Sequence, residues 1–442
     1  MQRKKSSAGA TLSSSFFAIL LFVSTAFAAG PKEQALYRFH GGSDGNSPMA
    51  SLIVDKSGNL YGTTNLGGSA NCATGCGTVF QLSPPAKHGT PWTETVIHSF
   101  QGGTDGAYPY SPLITDAAGN LYGTTSAGGT GNCDDIQQNG CGTVFELSPA
   151  GGGTWTYQVL YSFQGVPSGQ GNGDAAWPAG LAFGQGGILY GFAWSGGHCK
   201  TDETGTSCSR AAFALKNSGG KWTESVIYRF PGPYYAYAGP ILDKAGNLYG
   251  AGPGGAYGFG GVFRLNPPAN GKGWTQAAIY DFHGSTGDGA FPDFGLVFDA
   301  AGNLYGATLG TPAGSFSNVV ELSPTQTGEW TESVLYNFNP ISTGYEPGSG
   351  PILGQNGHLY GTTSQGGQSG RGVVFELIPP STQGGAWTET VLYSFLGGSG
   401  GDAPEGGVIF GLGGALYGTT AFGGDLNCGN GSGCGTIFKV VP

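Results

Sequence analysis

The chain has little charge, little sulfur and no long apolar run. Only 10% of its 442 residues are charged, with 17 Lys and Arg against 27 Asp and Glu. No basic stripe runs along it, and an acidic balance repels phosphate backbones, so nucleic acid is excluded as a partner. Its six His residues (40, 88, 98, 198, 283 and 358) are scattered without metal-ligand spacing, so neither a metal nor a cofactor is expected. The longest apolar run, Phe16 to Val23, falls well short of the roughly 20 residues a spanning helix needs. No transmembrane segment is expected in the mature chain. Gly-x-Ser-x-Gly occurs at Ser43 and Ser399, but neither site offers the strand-to-helix turn of a nucleophile elbow.

What is present begins with a targeting signature. Arg3, Lys4 and Lys5 precede the apolar run, and Ala26-Phe27-Ala28 is a small-residue cleavage site, so residues 1–28 are expected to be a signal peptide. Its removal leaves 14 basic against 27 acidic residues, a net charge of −13, on one domain spanning residues 29–442. The eight Cys residues fall as close pairs: Cys72 with Cys76, Cys133 with Cys141, Cys199 with Cys208, and Cys428 with Cys434. An even count, local pairing and an export signal predict four disulfides, with secretion to the periplasm, cell surface or medium.

Glycine, at 88 residues, alternates with aromatic and β-branched runs at fixed spacing, which excludes a low-complexity linker. The organising stretch is Asp116-Ala117-Ala118-Gly119-Asn120-Leu121-Tyr122-Gly123-Thr124-Thr125. Its Leu-Tyr-Gly core recurs with Tyr at 61, 122, 190, 249, 305, 360 and 417. A period of this kind marks one supersecondary unit stacked many times. In the second unit four strand signals follow one another: Pro112–Thr115 (a), Asn120–Thr125 (b), Gly142–Leu147 (c) and Trp155–Phe163 (d). Strand d opens at Trp92, Trp155, Trp222, Trp274, Trp330 and Trp387, and a lone d-type strand, Ala35–Phe39, starts the chain. The last unit lacks a d strand of its own. The expected fold is all-β: a seven-bladed β-propeller of four-stranded blades, closed by the N-terminal strand completing the last blade.

The run Asp-x-x-Gly-Asn-Leu-Tyr-Gly-Thr-Thr-x-x-Gly-Gly, then Gly-Thr-Val-Phe-Glu-Leu, resembles the bacterial GloVer tandem repeat of choice-of-anchor exported proteins. The resemblance covers nearly all of the mature chain. It implies an exported repeat protein and no established activity, ligand or catalytic residue. The third repeat departs most (Leu189-Tyr190-Gly191-Phe192-Ala193-Trp194), and the fifth places Thr311 where the others have the second Gly.

In an up-and-down blade the b–c and d–a loops emerge on one face and the a–b and c–d turns on the other. The loop face carries the Cys pairs and Asp44, Asp105, Asp174, Asp288 and Asp402 at similar positions. Those carboxylates either ring the channel, as cation ligands or acid–base groups, or lock turns through their own backbone; their repetition favours the lock. Symmetry breaks in repeats three and four. Trp177 and Trp194 are the two Trp residues outside the d strands, and Tyr234, Tyr235 and Tyr237 follow in the next d–a loop. Aromatics with polar edges suit stacking on sugars or capture of partner side chains. A ligand site is therefore expected around Trp194, Trp177, His198, Tyr234, Tyr235 and Tyr237. Two functions stand: a monomeric, non-enzymatic propeller binding a glycan or protein partner, and a carbohydrate-active hydrolase or lyase using carboxylates such as Asp174, Asp202 or Glu203.

Overall fold

Seven antiparallel sheets arise from the repeat, one per Leu-Tyr-Gly unit, in a computed structural model. It describes residues 33–442 apart from 88, 134–139, 166–170, 197, 203–204, 232–235, 237, 270–271, 286, 293–294, 311–316 and 383. The sheets form a seven-bladed β-propeller within the compact unit Pro31–Pro442. In blade 2, strands a to d are Ile114–Thr115, Leu121–Thr125, Thr143–Gly151 and Thr154–Ser162, paired in that order. Strand a is only two residues long here, shorter than the sequence pattern suggests. Pro112 precedes it and lacks the donor a ladder needs.

Closure follows the predicted route. Glu33–Arg38 pairs with Thr436–Val440, strand c of the last blade, with Tyr37 opposite Ile437 and Arg38 opposite Thr436. Phe39 then donates its N–H to the carbonyl of Gly435 at 3.0 Å. The first strand of the chain thus removes the last free edge of the ring.

The repeated motif is explained residue by residue. In the a–b turn Asp116 accepts from the N–H of Ala118 and of Asn120, each at 2.9 Å, from the Asn120 amide at 2.9 Å and from the Tyr122 hydroxyl at 3.1 Å. Burial alone would raise the Asp116 carboxyl, but these donors outweigh it and hold it below the ordinary range. The Gly of Leu-Tyr-Gly makes room for the Phe of strand c: a Cβ at Gly123 would lie 2.5 Å from Phe145 Cζ, and one at Gly62 2.6 Å from Phe80 Cζ. The last Thr of strand b shares a buried hydrogen bond with the first Thr of strand c, 2.8 Å for Thr64 and Thr78 and 2.8 Å for Thr125 and Thr143.

Blades adhere through Phe pairs. The Phe that ends strand d meets the strand-c Phe of the next blade edge to face, with centroids 5.2 Å apart for Phe39–Phe80 and Phe100–Phe145 and 5.0 Å for Phe163–Phe213. Phe230–Phe263, Phe338–Phe375 and Phe395–Phe438 repeat the arrangement at 5.0–5.1 Å. Each pair contributes roughly 0.5–1.5 kcal/mol beyond the area it buries. Blade 5 departs, since Val320 stands at the strand-c position and Phe282 packs beside it.

Candidate functional site

The loop face is built by a contact between neighbouring blades. After the d–a loop of six blades, the residue before a proline sits in the left-handed region: Ser47, Tyr108, Trp177, Phe291, Glu346 and Ala403, with φ between 53° and 59°. Non-glycine residues adopt this conformation only where the surroundings enforce it. Enforcement comes from two sides. The N–H of Tyr108 donates to the carbonyl of Cys76 in the preceding blade at 2.8 Å, that of Trp177 to Cys141 at 2.9 Å and that of Ser47 to Cys434 at 3.1 Å. The proline that follows packs on the glycine opening strand c of that same blade: a Cβ on Gly77 would lie 2.5 Å from Pro109 Cδ, and one on Gly435 2.5 Å from Pro48 Cδ.

The acceptor carbonyls belong to cystines. Disulfides join Cys72 to Cys76, Cys133 to Cys141, and Cys428 to Cys434, with Cα separations of 5.2, 5.2 and 5.6 Å. Cys199 stands opposite Cys208 in a hairpin register, while their side chains lie outside the described residues. Each clamped b–c loop is therefore the anchor on which the next blade's d–a loop rests.

In these six blades the left-handed residue and a residue at the end of strand b or just beyond it form a two-residue slot. Asn65 donates to the carbonyl of Ser47 at 3.0 Å, Ser126 to Tyr108 at 3.2 Å, Leu309 to Phe291 at 3.2 Å and Ala421 to Ala403 at 3.0 Å. In blade 6 the Ser364 hydroxyl does the same for Glu346 at 3.1 Å. Blade 3 fills its slot with Trp177 and Trp194, brought opposite each other by the register Ala176–Ser195 and Pro178–Ala193. Trp177 is half-buried against the core that includes Cys133 and Cys141, whereas Trp194 is 38% exposed. Tyr234, Tyr235 and Tyr237 lie outside the described residues, as do the side chains of His198 and Asp202 and the whole of Glu203. Blade 3 also carries an added sheet, Gly171–Asn172 with His198–Asp202 and Gly205–Cys208, which the repeat pattern does not predict.

Exposed apolar side chains gather on this face. Among the described residues Met49, Tyr257, Ile341, Leu396, Phe422 and Leu426 lie in b–c or d–a connections and Trp194 near the end of strand b that faces them, while Leu412 and Val441 are the large exposed apolar residues at the turn face. The repeated aspartates do not line the central channel. Asp44 accepts from the Tyr37 hydroxyl at 2.9 Å and the His40 N–H at 3.0 Å, and Asp174 from the Tyr161 hydroxyl at 2.8 Å and the Gln164 N–H at 2.9 Å. Asp44, Asp105, Asp174 and Asp288 lock the d–a turn onto strand d, whereas Asp402 pairs with Arg371 instead. Asp174 also faces Glu224 of the neighbouring strand d. Burial first, and the Asp174 charge second, push the Glu224 carboxyl well above its ordinary range.

The channel is a cavity of about 510 Å³ walled by the inner segments of all seven blades. Hydroxyls stitch those segments together: Ser111 donates to the carbonyl of Ala179 at 2.6 Å, Thr362 to Gly406 at 3.1 Å and Thr419 to Ala50 at 3.1 Å. At the loop face it opens into a second cavity of about 310 Å³, lined by Met49, Tyr110, Leu309, Glu346, Ser364 and Glu405 with neighbouring backbone. Met49, Tyr110 and Glu405 line both cavities and so mark the mouth. Reading the repeats for strand signals passes over this mouth, because its residues come from separate d–a loops. The signal that finds it is the residue on each side of the slot proline, where Glu346 and Glu405, with Asp293, are the acidic members of the series. Among the described residues no group of three or more His, Cys, Asp and Glu is placed to hold a metal ion, and no helix is long and apolar enough to cross a membrane.

The model of the Gloeobacter/Verrucomicrobia repeat matches residues 23–207 and 136–352. No curated protein matches the sequence. Among solved structures, a fungal alcohol oxidase of the AA5 family in complex with copper is similar at 13% identity and a TM-score of 0.56, over 93% of this chain and 76% of that one. An oxidoreductase described as a glucose dehydrogenase, from Thermus thermophilus, matches at 14% identity and a TM-score of 0.43, over 93% and 100% of the two chains. A PL25 ulvan lyase bound to its saccharide matches at 11% identity and a TM-score of 0.40, over 88% and 90%. Identities this low speak to fold alone.

Proposed function

The chain belongs to the Gloeobacter/Verrucomicrobia repeat family, and from that premise we propose that it is an exported, non-enzymatic recognition propeller that captures a glycan or protein partner on its loop face. Residues 1–28 are its signal peptide and 29–442 its single working domain. The observation that carries this reading is the uneven distribution of exposed apolar side chains, seven on the loop face against Leu412 and Val441 on the turn face. A fold indifferent to partners has no reason to place them mostly on one side, because exposed apolar surface costs solubility. The slots supply the means, since they present differing side chains from a backbone that the repeat holds constant.

The Trp177–Trp194 slot is the centre of the site, to which the sequence adds His198, Tyr234, Tyr235 and Tyr237. Removing a stacking Trp costs about 1–3 kcal/mol of binding. A panel of soluble polysaccharides and of proteins from the same cell envelope, scored for binding and for turnover, tests the proposal. Trp194→Ala should weaken the captured ligand about 5- to 100-fold with the melting temperature unchanged. Turnover of a polysaccharide by the purified chain would replace this reading with a hydrolase or lyase.

A further inference from the structure

We infer that the mouth of the central channel is a receptor for a cationic side chain, a lysine presented by a protein partner. The inference rests on the reading of the loop face as a recognition surface and names what enters its centre. The mouth cavity, about 310 Å³, brings together two kinds of wall. Tyr110, Met49 and Leu309 form an apolar collar, and Glu346 and Glu405 supply carboxylates from adjacent blades. Glu346 is fixed twice over. Its backbone is held left-handed at the slot, and its Oε2 accepts from the Gln365 amide. Glu405 is different. No hydrogen bond or ion pair engages its side chain among the described residues, and burial raises its carboxyl above the ordinary range. A cation arriving from outside favours a carboxylate that burial partly desolvates and no side chain engages.

Among the described side chains no lysine stands on the loop face. Lys56, Lys87, Lys216, Lys221, Lys244 and Lys272 stand at a–b turns or at the c–d ends of strands, on the opposite face. Arginines of the loop face are committed elsewhere: Arg38 donates to the carbonyl of Ser399 at 2.7 Å, Arg229 to that of Gly173 at 2.9 Å, Arg371 pairs with Asp402 at 2.7 Å, and Arg210 is engaged as well. A lysine answers both walls, because its four-carbon stem lies along the apolar collar while the ammonium reaches the carboxylates. The apolar side chains around the mouth are a collar for the rest of a protein partner, which is why a protein is preferred to a free amine.

The experiment uses the mature chain and a fluorescently labelled hexalysine peptide, with its fully N-acetylated counterpart as the probe lacking charge. Fluorescence anisotropy at about 0.15 M salt, where diffuse surface attraction is screened beyond about 8 Å, should show the charged peptide binding at least tenfold more tightly than the acetylated one. Glu405→Gln should weaken it at least tenfold and Glu346→Gln severalfold, with melting temperatures unchanged. Asp425→Asn, at a b–c loop carboxylate outside the cavity, should change it less than twofold. Absence of binding, equal binding of the acetylated peptide, or equal losses from Glu405→Gln and Asp425→Asn would overturn the inference. Competition by butylamine, mole for mole with the peptide's lysines, would overturn the protein partner in favour of a small amine. A glycan or protein captured by the loop face with unchanged affinity in Glu405→Gln would remove this inference and leave the recognition surface standing.

Discussion

Replacing Glu332 by Gln should stabilise the propeller at pH 8 and leave it unchanged at pH 4.5. Glu332 lies on strand d of blade 5, facing Asp288 in the preceding d–a loop and Tyr280 of strand d before it, and its Oε1 is buried without a hydrogen bond. Burial first, and the Asp288 charge second, push its carboxyl up to about 7 from 4.5. Below 4.5 the group is protonated in both folded and unfolded chains and its contribution is fully present. As pH rises towards 7 the unfolded chain ionises while the folded chain resists, so stability is lost through that window and the loss is complete above it. The full linkage value is about 3.4 kcal/mol. Water reaches part of the side chain, which reduces the expected effect to about 1.5–2 kcal/mol. Gln imitates the neutral carboxyl and cannot ionise. For a domain of this length the gain at pH 8 corresponds to a rise of about 2 °C in melting temperature. Calorimetry of native and variant chains at both pH values reads it directly. An equal difference at pH 4.5 and 8, or a less stable variant at pH 8, would refute the reasoning. Glu94, raised to about 7 by burial and Asp44, and Glu389, raised to about 7 by burial against its bond from Tyr336, act in the same direction. The native ring should accordingly be less stable at pH 8 than at pH 5.

Deleting residues 29–40 should leave strand c of the last blade unpaired, and the shortened chain should aggregate or melt at lower temperature by circular dichroism. Gly123→Ala, whose methyl would meet the Phe145 ring at 2.5 Å, should cost about 1–3 kcal/mol in urea unfolding. Gly306→Ala, with Leu296 as its nearest neighbour at 3.0 Å, should cost clearly less; equal costs would sink the packing account of the motif. Mass mapping under non-reducing conditions should find Cys72–Cys76, Cys133–Cys141 and Cys428–Cys434, with Cys199–Cys208 as the fourth pair, and free thiol at any of these positions would contradict the clamp.

The ring was legible because every property of the repeat is local. Asp116, Asn120 and Tyr122 bond within seven residues of one another, so the motif displays its own turn. The unpartnered d strand at Ala35–Phe39 announced closure for the same reason, since its sequence matches the d strands that already have neighbours. The loop face was foreseen as a face, and the Trp177–Trp194 juxtaposition follows from the register that the repeat imposes. What could not be read was anything that forms between blades. Glu94 and Asp44, or Glu332 and Asp288, stand far apart in the chain and meet because neighbouring blades pack. Glu346 and Glu405 meet at the channel mouth by the same geometry. The added hairpin of blade 3 escaped because its strands arise from a loop with no counterpart in the other repeats.

The left-handed residue before each slot proline has an evolutionary consequence. Its backbone is dictated by neighbours, through a bond from its N–H into the preceding blade's b–c loop (to a clamped Cys carbonyl for Ser47, Tyr108 and Trp177) and the proline seated on a glycine, while its side chain varies from blade to blade. Ser47, Tyr108, Trp177, Phe291, Glu346 and Ala403 occupy the same conformation with unrelated chemistry. Selection can therefore rewrite these positions one at a time, each step altering what the face displays and none disturbing the closure that keeps it rigid. Gene duplication of a blade copies an address with its contents left open, so a lineage carrying this repeat can change what the face displays as quickly as single substitutions arise.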